Sequence, residues 1–468
     1  MLSFFTFLRF ELSDYIEKNY FPDNASNCIF YQLQNRRIFE RKDIGFIMSK
    51  EKKASLLIKN IGQLITMKGP APRTGAQMSD LGMIENGGIA VAGEEILFIG
   101  ESDSIQGKAE LSEGCTVIDA KGMVVTPGFI DPHTHPVFSK TREKEFEMRI
   151  QGKTYMEIAN AGGGIRSSVR DLRTTDYATL KEKTKKRLDR FLAYGVTTIE
   201  AKSGYGLSTE SELKQLEIIQ ELNQTHTLDL IPTFMGAHEI PDEYRDKREE
   251  YISLLIDEMI PAVTKKKLAE FSDIFTEDGV YTVEESRRIQ QAAKNAGLKL
   301  KFHADELAST GGAELAAELH AISADHLVYI SDEGIKAMAK SGTVAVLLPG
   351  TTFSLSGKQY APARKMIEAG VVVALSTDCN PGSSFSESLP MIISLGAVQM
   401  KMTAAEAISA VTVNAAAAVD RAGNIGQLCP GMQADITIWD MADYRELPYH
   451  YGVNLVSKVI KKGKVVIK

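Results

Sequence analysis

The sequence predicts an α/β protein in which a (β/α)8 TIM-like barrel is joined to a small β-sandwich domain built from both chain ends. Through the middle of the chain, eight short apolar runs alternate with amphipathic segments of helix length. This alternation is typical of parallel βαβ units, and eight of them favour closure into a barrel. At both ends the alternation gives way to short strand-like segments, which indicates a second, smaller β domain.

The eight barrel strands are predicted from apolar runs of strand length. They are Met123–Val125 continuing to Ile130, Val196–Ile199, Leu228–Phe234, Asp273–Phe275, Leu298–Phe302, Ala321–Ala324, Thr343–Leu348 and Val371–Leu375. Helices are predicted between them at 177–193, 283–296, 331–341 and 361–369. An open, doubly wound dinucleotide-binding sheet is the alternative, but no run leads into a Gly-x-Gly-x-x-Gly turn.

The domain boundaries follow from the changes in pattern along the chain. We expect residues 48–125 and 426–468 to form the two parts of the β-sandwich domain, with the barrel spanning 126–425. Residues 1–47 form an atypical leader that holds 11 of the 35 aromatic residues and has no sustained periodicity. The hypothesis is that Met48 is the true start and that 1–47 is not part of the native protein; the intact mass from the native source tests it.

Composition narrows the classes of partner. The net charge is −7, so there is no electrostatic argument for nucleic acid or an anionic membrane as partner. No apolar run approaches the length of a membrane span. The four cysteines are scattered and form no Cys-x-x-Cys pair, which favours a reducing, cytoplasmic location.

Histidines collect at the ends of the predicted strands. His133 and His135 are two residues apart in an extended segment, where alternate side chains share a face. Three more, His238, His303 and His326, also follow apolar runs. Each alone is more typical of a structural histidine, but barrel active sites lie at the C-terminal strand ends, and five there together indicate a site.

A histidine-rich set with one aspartate suits zinc or iron. The predicted ligands are His133, His135, His303 and Asp378, with one position left for water. Metal binding lowers the pKa of water to about 7 and so supplies hydroxide at neutral pH. Glu306 and His326 are predicted to act beside this water.

Glu306 is the predicted general acid–base group, and His326 is predicted to stabilise negative charge on the attacked carbonyl oxygen. Asp131 is assigned a structural role. Lys202, at the end of the second run, is expected to be solvated or structural, and no lysine follows run four to bridge a second metal.

Five segments carry a resemblance to a known family. Pro-Gly-Phe-Ile-Asp-Pro-His-Thr-His at 127–135 resembles the amidohydrolase signature. The one-metal pattern of His303, Glu306, His326 and Asp378 is similar to the cytosine-deaminase-like branch. Together with 201–207, 233–239, 303–306 and 376–383, these motifs resemble the imidazolonepropionase family over about 52–468.

The resemblance implies hydrolysis of 4-imidazolone-5-propanoate to N-formimidoyl-L-glutamate, a step in histidine degradation, by a homodimer with one Zn2+ or Fe3+ per subunit. It also implies that Asp378 is catalytic as well as a ligand, and that Arg142 holds the propanoate carboxylate. Further substrate contacts are implied for Glu306 and for Tyr155, Tyr205, His238, Asn380, Gly382 and Ser383. The alternative for Arg142 is a solvated helix face, because it opens the charged segment 141–149.

Two rival functions remain open at this point. One is a related mononuclear amidohydrolase or deaminase that acts on another nitrogen heterocycle, and Arg142 argues against it because a neutral base needs no carboxylate partner. The other is a catalytically dead barrel that serves as a binding scaffold. The presence of all four predicted ligands and of Glu306 argues against that reading.

Overall fold

Sixteen strands form two sheets in the part of the chain that the computed structural model describes, residues 52–153, 157 and 162–468. The first five are β1 Ala54–Ile65, β2 Met83–Ala92, β3 Glu95–Glu101, β4 Leu111–Asp119 and β5 Val124–Pro127. The next eight are β6 Phe129–Asp131, β7 Val196–Lys202, β8 Asp229–Ala237, β9 Phe271–Thr276, β10 Lys299–Ala304, β11 Ser323–His326, β12 Val344–Leu347 and β13 Val373–Leu375. The last three are β14 Ile436–Trp439, β15 Val456–Lys461 and β16 Lys464–Ile467.

Helices connect the strands of the middle region. In chain order they are α1 Glu143–Ile150, α2 Ile165–Thr174, α3 Tyr177–Ala193, α4 Thr209–Thr225, α5 Arg248–Leu254, α6 Ile260–Lys266, α7 Val283–Asn295, α8 Gly312–Glu318, α9 Asp332–Ser341, α10 Pro349–Ser354, α11 Ala363–Glu368, α12 Leu389–Met400, α13 Ala404–Ala410, α14 Val413–Ala418 and α15 Glu446–Tyr449. The four predicted helices correspond to α3, α7, α9 and α11. Side-chain caps explain three of their starts: Asp176 accepts from Thr179, Thr282 and Glu285 form a capping box, and Ser331 accepts from Gly334.

The predicted parallel barrel is confirmed. Strands β6 to β13 follow one another in spatial order, and every neighbouring pair is parallel. Short contacts close the seam between β6 and β13: Thr134 bridges to Cys379, and the His135 amide donates to the Cys379 carbonyl at 3.0 Å. Asp131, the predicted structural residue, accepts hydrogen bonds from Ser376 and Thr377 across this seam.

The two chain ends form the second sheet, in the order β16-β15-β14-β5-β1-β2-β3, with β4 paired to β1. The small β domain is therefore built from both ends, as predicted, while its boundaries stay predictions. Alternate apolar side chains of these strands form its core; examples are Ile58, Ile89, Val125, Ile436 and Ile460. Trp439 of β14 packs on Phe129 of β6 at a ring separation of 4.8 Å and thereby joins this sheet to the barrel.

The first predicted barrel strand was wrong in its extent. The apolar run from Met123 to Ile130 serves both sheets, since β5 pairs with β14 and β1 whereas β6 pairs with β7. Gly128 separates the two strands. A Cβ atom there would lie 2.3 Å from Cγ2 of Thr197, so this close approach requires glycine.

Residues Ala54–Lys468 group into one compact unit. The predicted leader, 1–47, and Met48 lie outside the described residues, as does Tyr155. Among the described residues, no helix combines the length and the apolar composition that crossing a bilayer requires.

Candidate active site

The C-terminal ends of four barrel strands converge on one cluster of buried side chains. His133 and His135 follow β6, His303 lies in β10, His326 ends β11, and Asp378 follows β13. All five are at most 3% exposed. Two of them, His326 and Asp378, have left-handed backbone angles, with φ of 74° and 51°. Such conformations are uncommon for residues other than glycine and tend to occur at functional sites.

The spacing of three of these groups fits a shared metal ion. Oδ1 of Asp378 lies 3.6 Å from Nε2 of His133 and 3.7 Å from Nε2 of His135. These separations are too long for hydrogen bonds. Two ligands that each lie about 2.1 Å from a tetrahedral ion stand about 3.4 Å apart. Nε2 of His133 is also buried without a hydrogen-bond partner, as expected for an atom reserved for a ligand bond.

His303 and His326 extend the same cluster. Ligand atoms of His133, His303 and His326 all lie within 4.8 Å of one another, and the His133 and His303 rings are 4.4 Å apart. The four predicted ligands are thus brought together, and the structure also places His326 next to them. The described residues therefore contain a candidate His/Asp metal site.

Burial sets the charge state of these histidines. It lowers the pKa of His133 and His135 well below the usual value, and the neighbouring Lys202 ammonium acts in the same direction. Neutral imidazole is the form that binds metal. Burial also raises the pKa of Asp378 to about 6, although Thr351 donates a hydrogen bond of 2.6 Å to its Oδ2 atom.

In two of the histidines, a carboxylate oxygen faces the Nδ1 atom of the ring. Oδ2 of Asp325 lies 2.6 Å from Nδ1 of His133, and Oδ2 of Asp273 lies 3.1 Å from Nδ1 of His303. Lys202 stands between them and is fully buried, so of its two expected roles, solvated or structural, the structural one fits. His133, Asp273 and Asp325 also have ligand-like spacing, but the Lys202 ammonium already pairs with both carboxylates, at 2.6 and 3.8 Å.

Glu306 lies beside the histidine cluster. Its Oε2 atom is 3.6 Å from Nδ1 of His326, and its side chain is 14% exposed. Burial, aided by the negative charge of Asp378, raises the pKa of Glu306 to about 8. Glu277 fixes the turn by accepting the backbone N–H groups of Glu306 and Leu307 at 2.9 and 2.8 Å. A carboxyl group with this pKa can both hold and release a proton near neutrality.

A cavity of about 680 Å3 opens above this cluster. Its volume is in the range of small-molecule sites. The predicted site residues that line it are His135, Arg142, Tyr205, His238, His303, Glu306, His326, Asp378, Asn380, Gly382 and Ser383. His133 lies deeper, beneath the cavity floor. Tyr155 cannot be placed, because it lies outside the described residues.

Arg142 reaches the cavity from the start of α1. Its Nε and Nη2 atoms donate to Oε2 of Glu145 at 2.8 and 2.7 Å, and its side chain is 17% exposed. A Cβ atom on Gly382 would lie only 2.3 Å from Nη1 of Arg142, so the glycine leaves room for the guanidinium. Arg149 adds a second guanidinium to the wall and donates to the Gly382 carbonyl at 3.2 Å. The geometry is that of a cavity wall and not of a solvated helix face.

The loop after β13 is organised by Asn380. Its Oδ1 atom accepts the backbone N–H groups of Gly382 and Ser383 at 2.7 and 2.8 Å, while Nδ2 donates to the Asp378 carbonyl at 2.7 Å. Asn380 therefore fixes a turn that begins at Asp378 and ends near Gly382, the glycine that faces Arg142.

Comparison with known proteins agrees with this geometry. The profile of the amidohydrolase family matches residues 124–466. The imidazolonepropionase of Alkaliphilus metalliredigens is 50% identical over 413 residues, which cover 88% of this chain and 98% of that protein. The imidazolonepropionase of Geobacillus kaustophilus is 52% identical over 415 residues, which likewise cover 88% of this chain and 98% of that protein. The chain belongs to the imidazolonepropionase family of amidohydrolases. It is therefore a hydrolase that acts on carbon–nitrogen bonds, and neither rival reading is favoured.

Solved structures with much lower identity share the family fold. A zinc-bound adenosine deaminase from Xanthomonas campestris has a TM-score of 0.65 at 16% identity and covers 89% of this chain and 93% of its own. A 5-methylcytosine deaminase from Klebsiella pneumoniae has a TM-score of 0.66 at 17% identity, with shares of 88% and 98%. These similarities support the barrel and the attached small β domain.

Several site residues were not predicted from the sequence. Asp273, Asp325 and Lys202 form the buried layer beneath the histidines, and Glu145 and Arg149 line the wall near Arg142. Asp325 directly precedes His326, so its position at a strand end was a usable signal. The pairing of Asp273 with His303 depends on strand register, which carries no local signal, whereas Arg142 and Glu145 are only three residues apart.

Proposed function

We propose that this chain hydrolyses the ring amide of 4-imidazolone-5-propanoate to N-formimidoyl-L-glutamate, a step in histidine degradation. One observation carries the proposal: a histidine–aspartate cluster with metal-like spacing and a guanidinium, that of Arg142, line the same cavity. A cyclic amide with a carboxylate side chain needs both. The 50–52% identity to imidazolonepropionases over 88% of the chain supports the same substrate.

His133, His135, His303 and Asp378 would hold one ion. Three imidazoles and a single carboxylate suit zinc or iron. When bound there, the ion would acidify a water molecule and polarise the substrate carbonyl. Ligand atoms of His133, His135 and Asp378 lie within 4.8 Å of one another, and so do those of His133, His303 and His326, which supports this proposal.

Glu306 is the proposed proton carrier. In ring opening a C–O bond forms at the amide carbon and the C–N bond breaks, so one proton must leave the attacking water and one must reach the ring nitrogen. Glu306 takes the first and returns it to the nitrogen, which needs a carboxyl group whose pKa lies near the working pH. Its pKa, raised to about 8, meets this requirement.

His326 is the proposed partner of the carbonyl oxygen. Burial lowers its pKa well below the usual value, so the ring is neutral and carries one N–H group. Its Nε2 atom is buried without a hydrogen-bond partner. An N–H donated from this position would stabilise the negative charge that develops on the oxygen.

The substrate contacts separate into two ends of the cavity. Arg142 binds the propanoate carboxylate, for which a planar guanidinium is well shaped. Gly382 and Ser383 border the same end. At the ring end, His238 stacks on His135 at 5.1 Å and donates from Nδ1 to the Gly204 carbonyl at 2.9 Å, which leaves Nε2 as an acceptor. Tyr205 and Asn380 complete this wall, and Tyr155 is retained as a further proposed contact.

Three finer properties belong to this proposal: one Zn2+ or Fe3+ ion per subunit, a homodimer, and a cytoplasmic location with no nucleic-acid or membrane partner. Elemental analysis of the purified protein tests the first. Light scattering after size-exclusion chromatography tests the second, and fractionation of the source cells tests the third.

The test of function is turnover of imidazolone propanoate, followed by the loss of its ultraviolet absorbance, before and after treatment with a chelator. We expect turnover by the metal-loaded protein, loss after chelation, and recovery when Zn2+ is added back. Neutral heterocycles such as adenine and cytosine serve as matched controls, with ammonia release as the readout. No turnover of imidazolone propanoate by metal-loaded protein, or faster release of ammonia from a neutral base, would overturn the proposal.

A further inference from the structure

We propose that Lys202 is a positioning residue that sets the orientation of two metal ligands through Asp273 and Asp325. The two carboxylates and the ammonium group form a buried layer, here called the Lys202 relay, directly beneath His133 and His303. This inference rests on the proposed metal role of those histidines.

The contacts of Lys202 define the relay. Its Nζ atom lies 2.6 Å from Oδ2 of Asp273, 2.7 Å from Oε1 of Glu200 and 3.8 Å from Oδ2 of Asp325. All four side chains are 0% exposed. A lysine without access to water that faces three carboxylates is held by charge, because each buried charge without a partner would be strongly destabilising.

The oxygens that face Lys202 are the same ones that face the histidines. Oδ2 of Asp325 is the atom 2.6 Å from Nδ1 of His133, and Oδ2 of Asp273 is the atom 3.1 Å from Nδ1 of His303. Each oxygen therefore lies between an ammonium and an imidazole. The Asp325 contact keeps hydrogen on Nδ1 of His133 and leaves its Nε2 atom for the ligand cluster, while Asp273 faces Nδ1 of His303 without a hydrogen bond. Partners of this kind orient metal ligands in general.

The barrel explains why these residues meet. In a (β/α)8 barrel, inward-pointing side chains from alternate strands share one layer. Lys202, Asp273 and Asp325 lie on β7, β9 and β11, which are the second, fourth and sixth strands. His133 and His303 come from the first and fifth strands, and so they belong to the neighbouring layer. The relay is the layer below the ligands.

Charge balance shows what removal of Lys202 would do. Asp273 and Asp325 carry like charges, and an oxygen of each lies within 4.8 Å of the other. Without the ammonium, the two carboxylates would move apart. That movement shifts the oxygens that face His133 and His303. The expected effect therefore falls on metal binding before it falls on folding.

A second buried lysine supplies a matched control. Lys461 lies 2.7 Å from Asp229 and 2.6 Å from Asp435, and it is 2% exposed. Its contacts resemble those of Lys202, but Asp229 begins β8, so the pair lies at the opposite end of the barrel from the ligands. Lys461→Met thus removes a buried ammonium from two carboxylates without touching the relay.

The experiment measures Zn2+ affinity of the full chain by competition with a chromophoric chelator, for wild type, Lys202→Met and Lys461→Met. Thermal melting of the metal-free proteins reports folding, and the visible spectrum of Co2+-substituted protein reports ligand geometry. We expect Lys202→Met to weaken Zn2+ binding by about 10- to 100-fold and to change the Co2+ spectrum. Lys461→Met should leave both unchanged even if it lowers the melting temperature.

The outcomes separate the relay from the proposed function. The relay is overturned if Lys202→Met binds Zn2+ within about threefold of the wild-type affinity. It is also overturned if Lys461→Met loses as much Zn2+ affinity as Lys202→Met does. Either result leaves the proposed function intact. A wild-type chain that binds neither Zn2+ nor Fe3+ overturns both. If Lys202→Met does not fold, Asp325→Asn replaces it in the experiment, because asparagine keeps the shape of the side chain and removes its charge. The expected loss of Zn2+ affinity is again about 10- to 100-fold, which is typical of partners that orient metal ligands.

Discussion

Oδ1 of Asp378 and Nε2 of His135 lie 3.7 Å apart across the seam between the first and the last barrel strands. A metal ion shared by these two atoms would bind β6 and β13 to each other at the point where the described residues show only a single backbone bridge, Thr134 to Cys379. Such an ion would therefore have a structural consequence as well as a chemical one. Its removal should loosen the closure of the barrel.

Metal removal is expected to lower the melting temperature. A ligand present at 100 times its dissociation constant stabilises the folded state by about 2.7 kcal/mol. Differential scanning calorimetry with and without chelator measures the loss, and Asp378→Asn should shrink the effect of the chelator. Asp189→Asn, which removes a partner of His226 on the surface, is the control. An unchanged melting temperature after complete metal removal would contradict this account of the seam.

Arg142→Gln should impair binding of the substrate carboxylate. A hydrogen bond to a charged group contributes about 1.5–3 kcal/mol, which corresponds to a fall of about 10- to 150-fold in kcat/KM. We expect most of this change in KM, measured by steady-state kinetics. The control is Arg190→Gln, since Arg190 pairs with Glu387 and does not line the cavity. A KM that rises no more than a few-fold would show that Arg142 is not the carboxylate partner.

Glu306→Gln should remove proton transfer while leaving the metal site assembled. Loss of a general acid–base group lowers kcat by about 100- to 10,000-fold. Stopped assays measure the fall in kcat, and elemental analysis shows whether the variant keeps its metal. Glu318→Gln is the matched control, because Glu318 forms an exposed pair with Arg287. A variant that keeps its metal and most of its kcat would assign the proton to another group.

Gly128→Ala should destabilise the junction between the two sheets. The new Cβ would lie 2.3 Å from Cγ2 and 2.4 Å from Oγ1 of Thr197. Overpacking of this kind costs about 1–3 kcal/mol. Chemical denaturation measures the loss, and Thr197→Ala should restore part of it, because it removes both atoms. If the two substitutions are additive, the contact between Gly128 and Thr197 is not the cause.

Much of the fold was predictable because its signals are local. Helix α3 has the predicted bounds, Tyr177–Ala193, since a capping aspartate precedes it and Gly195 follows it in a left-handed conformation. The ligand cluster was predictable for a related reason. A residue just after an apolar run lies at a strand end, and parallel strands bring those ends together.

The remaining features depend on contacts between distant segments. Within the run from Met123 to Ile130, Pro127-Gly128 is a local sign of a break, but the residue that makes glycine necessary there, Thr197, is distant in the sequence. The sequence leaves Lys202 as a solvated or structural lysine, and only the stagger of the barrel strands places it against Asp273 and Asp325. The pairing of Glu145 with Arg142 is local, but the closeness of Arg142 to Gly382 again depends on the whole barrel.

The most direct test of the central claim is analysis of the product formed from imidazolone propanoate in isotopically labelled water. Opening of the ring amide turns the carbonyl carbon into a carboxylate. We therefore expect N-formimidoyl-L-glutamate with one labelled oxygen in its α-carboxylate, no ammonia, and no product from chelator-treated protein. Release of ammonia with the ring intact, or an unlabelled product, would contradict hydrolysis of the ring carbon–nitrogen bond.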